Sequence, residues 1–308
     1  MTMLGSAARR ILAKIAVELE RALAHRAQHA ALGQTAPRTV ASGPGWNVAD
    51  VLCTCGPGDH AFEERHGAFC IALVAAGAFE YRSETGAALM TPGAVMLGNA
   101  GECFECGHRH RAGDRCIAFR YAPEYFERLF ADAGAAGRSA SFDVARIAPT
   151  RALTPFVAAA STGVTAGAGM TWDEMAVTLA VRVVGLVDGV SGAEYRSVPA
   201  GALARVVDTV RWIDEAPEAE LGLDQLAAHA RLSPYHFLRT FEQATGVTPH
   251  QYVLRVRLRA AAQRLADTSD KIVEVALDCG FADLSNFNRA FRAEFGMSPR
   301  RYRAAWRR

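Results

Sequence analysis

"HFLRTFEQATGVTPHQY" occupies positions 236–252, and "NFNRAFRAEFGMSPRRY" occupies positions 286–302. Set 50 positions apart, the two stretches agree at Phe237 and Phe287, Arg239 and Arg289, Phe241 and Phe291. They agree again at Gly246 and Gly296, Pro249 and Pro299, and Tyr252 and Tyr302. Phe237 and Phe241 are four apart, so they share one helical face and are expected to be buried. Gly246 and Gly296 follow a last helical turn, where a cap with positive φ favours glycine. Thr248-Pro249 and Ser298-Pro299 then open new helices, with the hydroxyl as N-cap and proline in the first turn.

Each copy has a short helix upstream. "LDQLAAHA" leads through "RL" to Ser233-Pro234, and "KIVEVALDCG" leads through "FA" to the N-cap residue Asp283, with Gly280 supplying a tight turn. Each copy is thus helix, short turn, helix, which is a helix-turn-helix unit. Residues 249–267 contain no interior breaker and form a long connecting helix, while 203–216 form a first helix packed on the first unit. A recognition helix places its N-terminal residues at base edges in the major groove, and two on one stiff frame fit grooves about 34 Å apart. A helical bundle with an accidental repeat is the plain alternative. The caps, glycines and prolines that coincide in register weigh against it.

Charge points the same way. The chain carries a formal balance of +2, but residues 231–308 hold 14 Lys and Arg against 7 Asp and Glu. A basic C-terminal module on a mildly acidic body suits a polyanion partner.

The stretch "GFADLSNFNRAFRAEFGMSPRRYR" resembles the C-terminal signature of the AraC/XylS family of transcriptional regulators. "LAAHARLSPYHFLRTFEQATGVTPHQYVLRVRLRAA" is similar to the first half of the same double helix-turn-helix domain. The resemblance covers about residues 203–308. It implies a DNA-binding regulator without enzymatic activity, its partners being double-stranded operator DNA, a second copy of the chain, RNA polymerase and an effector. The resemblance also implies which positions face the groove: Ser233, Pro234, Tyr235, Leu238, Arg239 and Thr240 in the first recognition helix, and Leu284, Ser285, Asn288 and Arg289 in the second. Arginine forks onto guanine O6 and N7 or grips a phosphate, asparagine pairs with adenine, and Tyr235 and Leu238 suit thymine methyls. Arg255, Arg257 and Arg259 cannot share one helical face, so they divide between pairing inside the domain and meeting phosphate. His229 and His236 read as structural.

Upstream the texture changes. No apolar run approaches the roughly 20 residues that cross a bilayer, so no membrane partner is expected. The N-terminal stretch carries charges throughout and is no secretory signal. Its residues Ile11, Leu12, Ile15, Leu19 and Leu23 fall at helical spacing. Seven cysteines, an odd number, read as reduced thiols in a cytosol.

From Trp46 to Tyr121, short apolar runs such as "AFCIALVAAGAFEYRS" alternate with Gly, Pro and Asn breaks, which reads as strands of a barrel or sandwich. "TPGAVMLGNAG" resembles the middle of a cupin barrel, and AraC regulators commonly carry such a sensory domain. Metal-binding cupins present His-x-His plus Glu, whereas this chain has Phe62 after His60. That departure weakens an enzymatic metal centre.

The fold expected is α+β multidomain, a cupin-like barrel with accessory helices joined to an all-α domain. Its parts are a helical extension at 1–45, a sensory and dimerisation domain at 46–190, a linker at 191–202 and the DNA-binding domain at 203–308. Residues 150–190 read as helices, "TRALTPFVAAASTG" at 150–163 and "TWDEMAVTLAVRVVGLVDG" at 171–189, the second serving either packing on its own barrel or dimerisation.

"CFECGHRHRAGDRC" supplies soft ligands. Cys103, Cys106, His108, His110 and Cys116 suit Zn²⁺ or another thiophilic metal. On a strand, Cys106, His108 and His110 share a face and Cys103 needs a knuckle to join them. Redox sensing, or small buried thiols beside surface histidines, are the competing readings. Cys53, Cys55 and Cys70 either join a thiol cluster or fill space.

The function expected is a sequence-specific transcriptional regulator whose N-terminal domain senses a small molecule or a metal. A cupin enzyme with an appended nucleic-acid module is the alternative.

Overall fold

The computed structural model describes residues 14–59, 63–135, 139–166, 171–187 and 198–306. Ile11, Leu12, His60, Phe62, most of the 191–202 linker and the last two arginines lie outside the described residues.

Contacts divide the chain into two compact units. One spans Leu19–Pro149 and Met170–Ser197; the other contains Thr150–Gly169 and Val198–Arg308. The first holds helix α1 (Lys14–Gln28) from Leu19 onward and ten strands: β1 (Thr35–Gly43), β2 (Trp46–Cys53), β3 (Glu63–Arg65), β4 (Phe69–Gly77), β5 (Phe79–Ser83), β6 (Gly86–Met90), β7 (Val95–Gly98), β8 (Cys103–Gly107), β9 (Asp114–Tyr121) and β10 (Arg146–Ile147).

The strands form a six-stranded sheet in the order β1-β2-β9-β4-β7-β10 and a four-stranded sheet in the order β3-β8-β5-β6. Every ladder is antiparallel. Among the described residues no ladder joins the two sheets, so the expected barrel is a pair of sheets. The apolar run in β4 follows from burial on both faces: Ile71, Ala72, Leu73 and Val74 are all inaccessible or nearly so.

The sheet begins at Thr35, inside the stretch expected to be a helical extension. β1 is an edge strand, mostly exposed, with Pro37 in it. An edge tolerates proline and polar side chains, which hides the strand from a search for apolar alternation.

Helix α2 (Pro123–Phe130) and helix α4 (Trp172–Val187) cover this unit. Met175, Ala176, Leu179, Ala180 and Val183 of α4 are buried, and Tyr121 Oη donates to the Ala176 carbonyl at 2.8 Å. The i, i+4 pair Val177 and Val181 stays exposed on the far side.

The second unit is helical: α3 (Thr154–Ala166), α5 (Ala200–Glu215), α6 (Leu223–His229), α7 (Pro234–Thr245), α8 (Pro249–Asp267), α9 (Ile272–Asp278), α10 (Leu284–Phe295) and α11 (Pro299–Trp306). The expected domain boundary at 190 would place α3 with the strands, but it packs on α8 and α10. Ala158 sits in their apolar cluster, and Thr154 Oγ1 donates to Glu294 Oε1 at 2.6 Å. Helical periodicity reveals that α3 has an apolar face but not which partner covers it.

Candidate nucleic-acid interface

The duplicated sequence folds into duplicated geometry. Ser233 Oγ accepts from the His236 amide at 3.4 Å, and Asp283 Oδ1 accepts from the Asn286 amide at 2.7 Å, so both recognition helices start on a side-chain cap. They end alike, on Gly246 at φ 80° and Gly296 at φ 70°. Thr248 and Gln251 close a capping box at the start of α8. The connecting helix runs unbroken from Pro249 to Asp267, as its sequence predicts.

Each recognition helix is pinned by two fully buried phenylalanines. Phe237 and Phe241 lie 5.4 Å apart by ring centroids in α7, and Phe287 and Phe291 lie 5.5 Å apart in α10. Helical geometry then turns the intervening positions outward. Ser233, Pro234, Tyr235 and Arg239 are exposed, with Tyr235 62% accessible, while Leu238 and Thr240 are half-buried. Leu284, Ser285, Asn288 and Arg289 are all exposed, Leu284 at 38%.

The arginines are held over their own helices. Arg239 Nη1 donates to Tyr235 Oη at 3.3 Å, with its guanidinium 5.8 Å from the ring centroid. Arg289 Nη2 donates to Asn286 Oδ1 at 3.2 Å. Asn286, exposed one turn from Arg289, belongs to this surface and was not singled out from the sequence. Its position at N3 of the second recognition helix is the signal that marks it.

The arginines of the connecting helix turn inward. Arg257 donates to the carbonyls of Pro217 at 2.7 Å and Ala219 at 2.9 Å. Arg255 lies 3.5 Å from Glu294 Oε1, and Arg259 is buried. In the C-terminal stretch, Arg303 Nη2 donates to the Asp270 carbonyl at 2.7 Å and Tyr302 is buried. Basic side chains left exposed include Arg239, Arg289, Arg292, Arg300 and Arg301, on the recognition helices and just after the second. His236 Nδ1 lies 2.9 Å from Ser233 Oγ, and the ring of His229 stacks on Trp212 at 4.6 Å.

The two turns solve one problem differently. The chain bends through positive φ at Arg231 (54°) in the first unit and at Gly280 (84°) in the second. A Cβ on Gly280 would stand 2.7 Å from the Pro217 carbonyl oxygen. Gly280→Ala is therefore expected to destabilise the chain by about 2 kcal/mol or more, through backbone strain and this close approach. Denaturant unfolding measures it; a cost near zero would contradict the turn geometry.

Residues 226–305 match the helix-turn-helix domain family. Over 91 residues the chain is 40% identical to a probable transcriptional regulator LumQ from Photobacterium leiognathi, covering 30% of this chain and 37% of that protein. It is 35% identical over 97 residues to the transcriptional activator RhaS from Klebsiella pneumoniae, covering 32% and 35%. It is also similar to a solved AraC-type DNA-binding domain protein from Chromobacterium violaceum, at 32% identity, 35% of this chain, 97% of that chain and TM-score 0.33. The C-terminal domain belongs to the AraC/XylS family. The DNA-binding domain of AdpA, solved in complex with a target DNA, is 38% identical to this AraC-type domain over 33% of this chain and 93% of that one, with TM-score 0.32. The match spans about a third of the length of the curated AraC relatives.

The cysteine and histidine residues of the sheet unit are not gathered as their spacing suggests. β8 alternates, so Cys103 and Cys106 point to opposite sides. Cys103 lies beside Glu63, which raises its pKa, and His110 Nε2 lies 3.6 Å from Glu80 Oε1. Cys106, His108 and Cys116 do line one cavity of about 560 Å³, together with Cys53, Cys70 and Asp114.

Within that cavity His108 Nε2 lies 2.7 Å from Asp114 Oδ1, and Cys116 Sγ donates to Asp114 Oδ2 at 3.3 Å. Burial opposes a charge on His108, but its hydrogen bonds to Asp114 and Cys53 outweigh burial and push the ring up to about 10. His66 behaves oppositely: burial and Arg120 pull it down to about 4, and its ring is stacked on Phe104 at 4.0 Å. Among the described residues, Cys53, His108 and Asp114 are the group whose donor atoms all lie within 4.8 Å of one another. The sequence reading missed Asp114 and left Cys53 at the margin. Their link is cross-strand register, Cys53 opposite Asp114 between β2 and β9.

Proposed function

We propose that this chain is a sequence-specific, DNA-binding transcriptional regulator, and that its two-sheet unit is a cupin-like sensor of an effector. The observation that carries the reading is the pair of recognition helices, each anchored by two buried phenylalanines and each presenting an exposed arginine two residues from both. Ser233, Pro234, Tyr235, Leu238, Arg239 and Thr240 read one groove; Leu284, Ser285, Asn288 and Arg289 read the next, with α8 as the stiff spacer. The cavity between the strands is of a size that suits a small ligand. Effector binding there biases the sheet unit between conformations with different affinity for the operator.

The exposed Val177 and Val181 of α4 support a second copy of the chain as partner, and paired copies suit paired half-sites. RNA polymerase is the further partner of a regulator, and the cytoplasm its place. No described helix is long and apolar enough to cross a membrane.

Selection from random duplexes tests this reading. It is expected to return one motif with two blocks of preferred bases about one helical turn apart. A pool without sequence preference would contradict it and would favour a nonspecific architectural protein.

A further inference from the structure

We propose that the cavity of the sheet unit holds a divalent, thiophilic metal ion, with Cys53, His108 and Asp114 as its protein ligands. This inference rests on the reading of that cavity as the effector site, and it names the effector's chemistry.

Three different segments converge to make the group. Cys53 ends β2, Asp114 begins β9 as its cross-strand partner, and His108 follows β8 of the other sheet. All three residues are buried, yet all line the cavity, so an ion has an approach. Their donor atoms lie within 4.8 Å of one another. A tetrahedral ion with metal–sulfur bonds near 2.3 Å and metal–nitrogen or metal–oxygen bonds near 2.0–2.2 Å needs donors spaced on that scale. Closing on an ion requires the 2.7 Å contact between His108 and Asp114 to open slightly.

The donor chemistry selects the ion. One thiolate, one imidazole and one carboxylate form a borderline-soft set that suits Zn²⁺, while Mg²⁺ and Ca²⁺ prefer oxygen. Thiolate and carboxylate together balance a 2+ charge, so the buried site is neutral when filled. Binding releases the thiol proton and any proton on His108.

The surroundings hold the ligands in place. Cys116 donates to the second oxygen of Asp114, and the Phe79 ring is stacked against His108 at 5.8 Å. Three protein ligands would leave the fourth position of a tetrahedral ion to water or a small ligand. Cys103 and His110 are not part of the set, because they turn to Glu63 and Glu80.

The test uses tag-free full-length protein, stripped with chelator and titrated with Co²⁺ and with Zn²⁺ in the absence of DNA. One equivalent of ion per chain is expected, with a thiolate-to-cobalt charge-transfer band. Cys53→Ser and His108→Gln are each expected to weaken binding by about 100-fold or more, at least the loss seen for outer-shell partners. Cys103→Ser and His110→Gln should bind as the parent does. The parent is also expected to melt at higher temperature with Zn²⁺, and Cys53→Ser to show no such rise. No stoichiometric uptake by the parent, which needs no variant to fold, overturns the proposal. So does full binding by folded Cys53→Ser, or a loss in Cys103→Ser as large as in Cys53→Ser. A chain that selects one DNA motif but takes up no ion sinks this inference and leaves the DNA reading intact.

Discussion

Phe291→Ala is expected to remove about 3–5 kcal/mol of stability, the cost of emptying a large aromatic site in a packed core. Phe291 is inaccessible to solvent and meets Phe287, Phe295 and Tyr302 at centroid distances of 5.5, 4.4 and 5.4 Å. Its neighbours lie on α10 and α11, whose backbones are fixed by the Asp283 cap and the Gly296 turn, so the hole cannot close by a small shift. Domains are held by about 5–15 kcal/mol, so the loss is roughly a fifth or more of the total. Phe241→Ala is the matching change in the first unit, where Phe237 and Tyr252 surround the ring at 5.4 and 5.6 Å. Denaturant unfolding followed by helix content measures both. A cost below about 1 kcal/mol at either site would mean that the phenylalanine does not anchor its recognition helix.

Arg239→Ala and Arg289→Ala are each expected to weaken binding to the operator by about 1–3 kcal/mol, or about 5- to 150-fold, and to relax preference at one base pair. Both side chains are exposed and lie two residues from a buried phenylalanine on either side. Neither is tied to a carboxylate in the described contacts: Arg239 rests on Tyr235 and Arg289 on Asn286. Contacts to a tyrosine hydroxyl and an amide oxygen cost little to give up when a guanine edge offers a bidentate partner. The truncations leave the core untouched, so stability should change by less than about 0.5 kcal/mol. Equal loss on every DNA sequence, with a shallower salt dependence, would identify a phosphate contact instead.

The helical half was legible because its information is local. Caps at Ser233, Thr248 and Asp283, glycines at 246 and 296, and phenylalanines four apart each act within a few residues. Their repetition fixes the register of both units. The sheet unit was less legible because its decisive facts are long-range. The spacing of Cys103 and Cys106 invited a shared ligand role, but strand alternation separates them. Cys53 and Asp114, 61 positions apart, meet only through the pairing of β2 with β9. β1 escaped because an edge strand needs no apolar face, and α3 changed sides because its face does not name its partner.

The central claim is that two recognition helices on one stiff frame read two successive grooves. The direct measurement is the affinity of the chain for its selected motif, for that motif with five base pairs inserted between its two blocks, and for scrambled DNA, all at physiological salt. Five base pairs rotate one block by about half a helical turn. The intact motif is expected to bind roughly 10³-fold or more tighter than scrambled DNA, with most of that advantage lost on insertion. Undiminished binding to the split motif, or equal binding to all three duplexes, would contradict it.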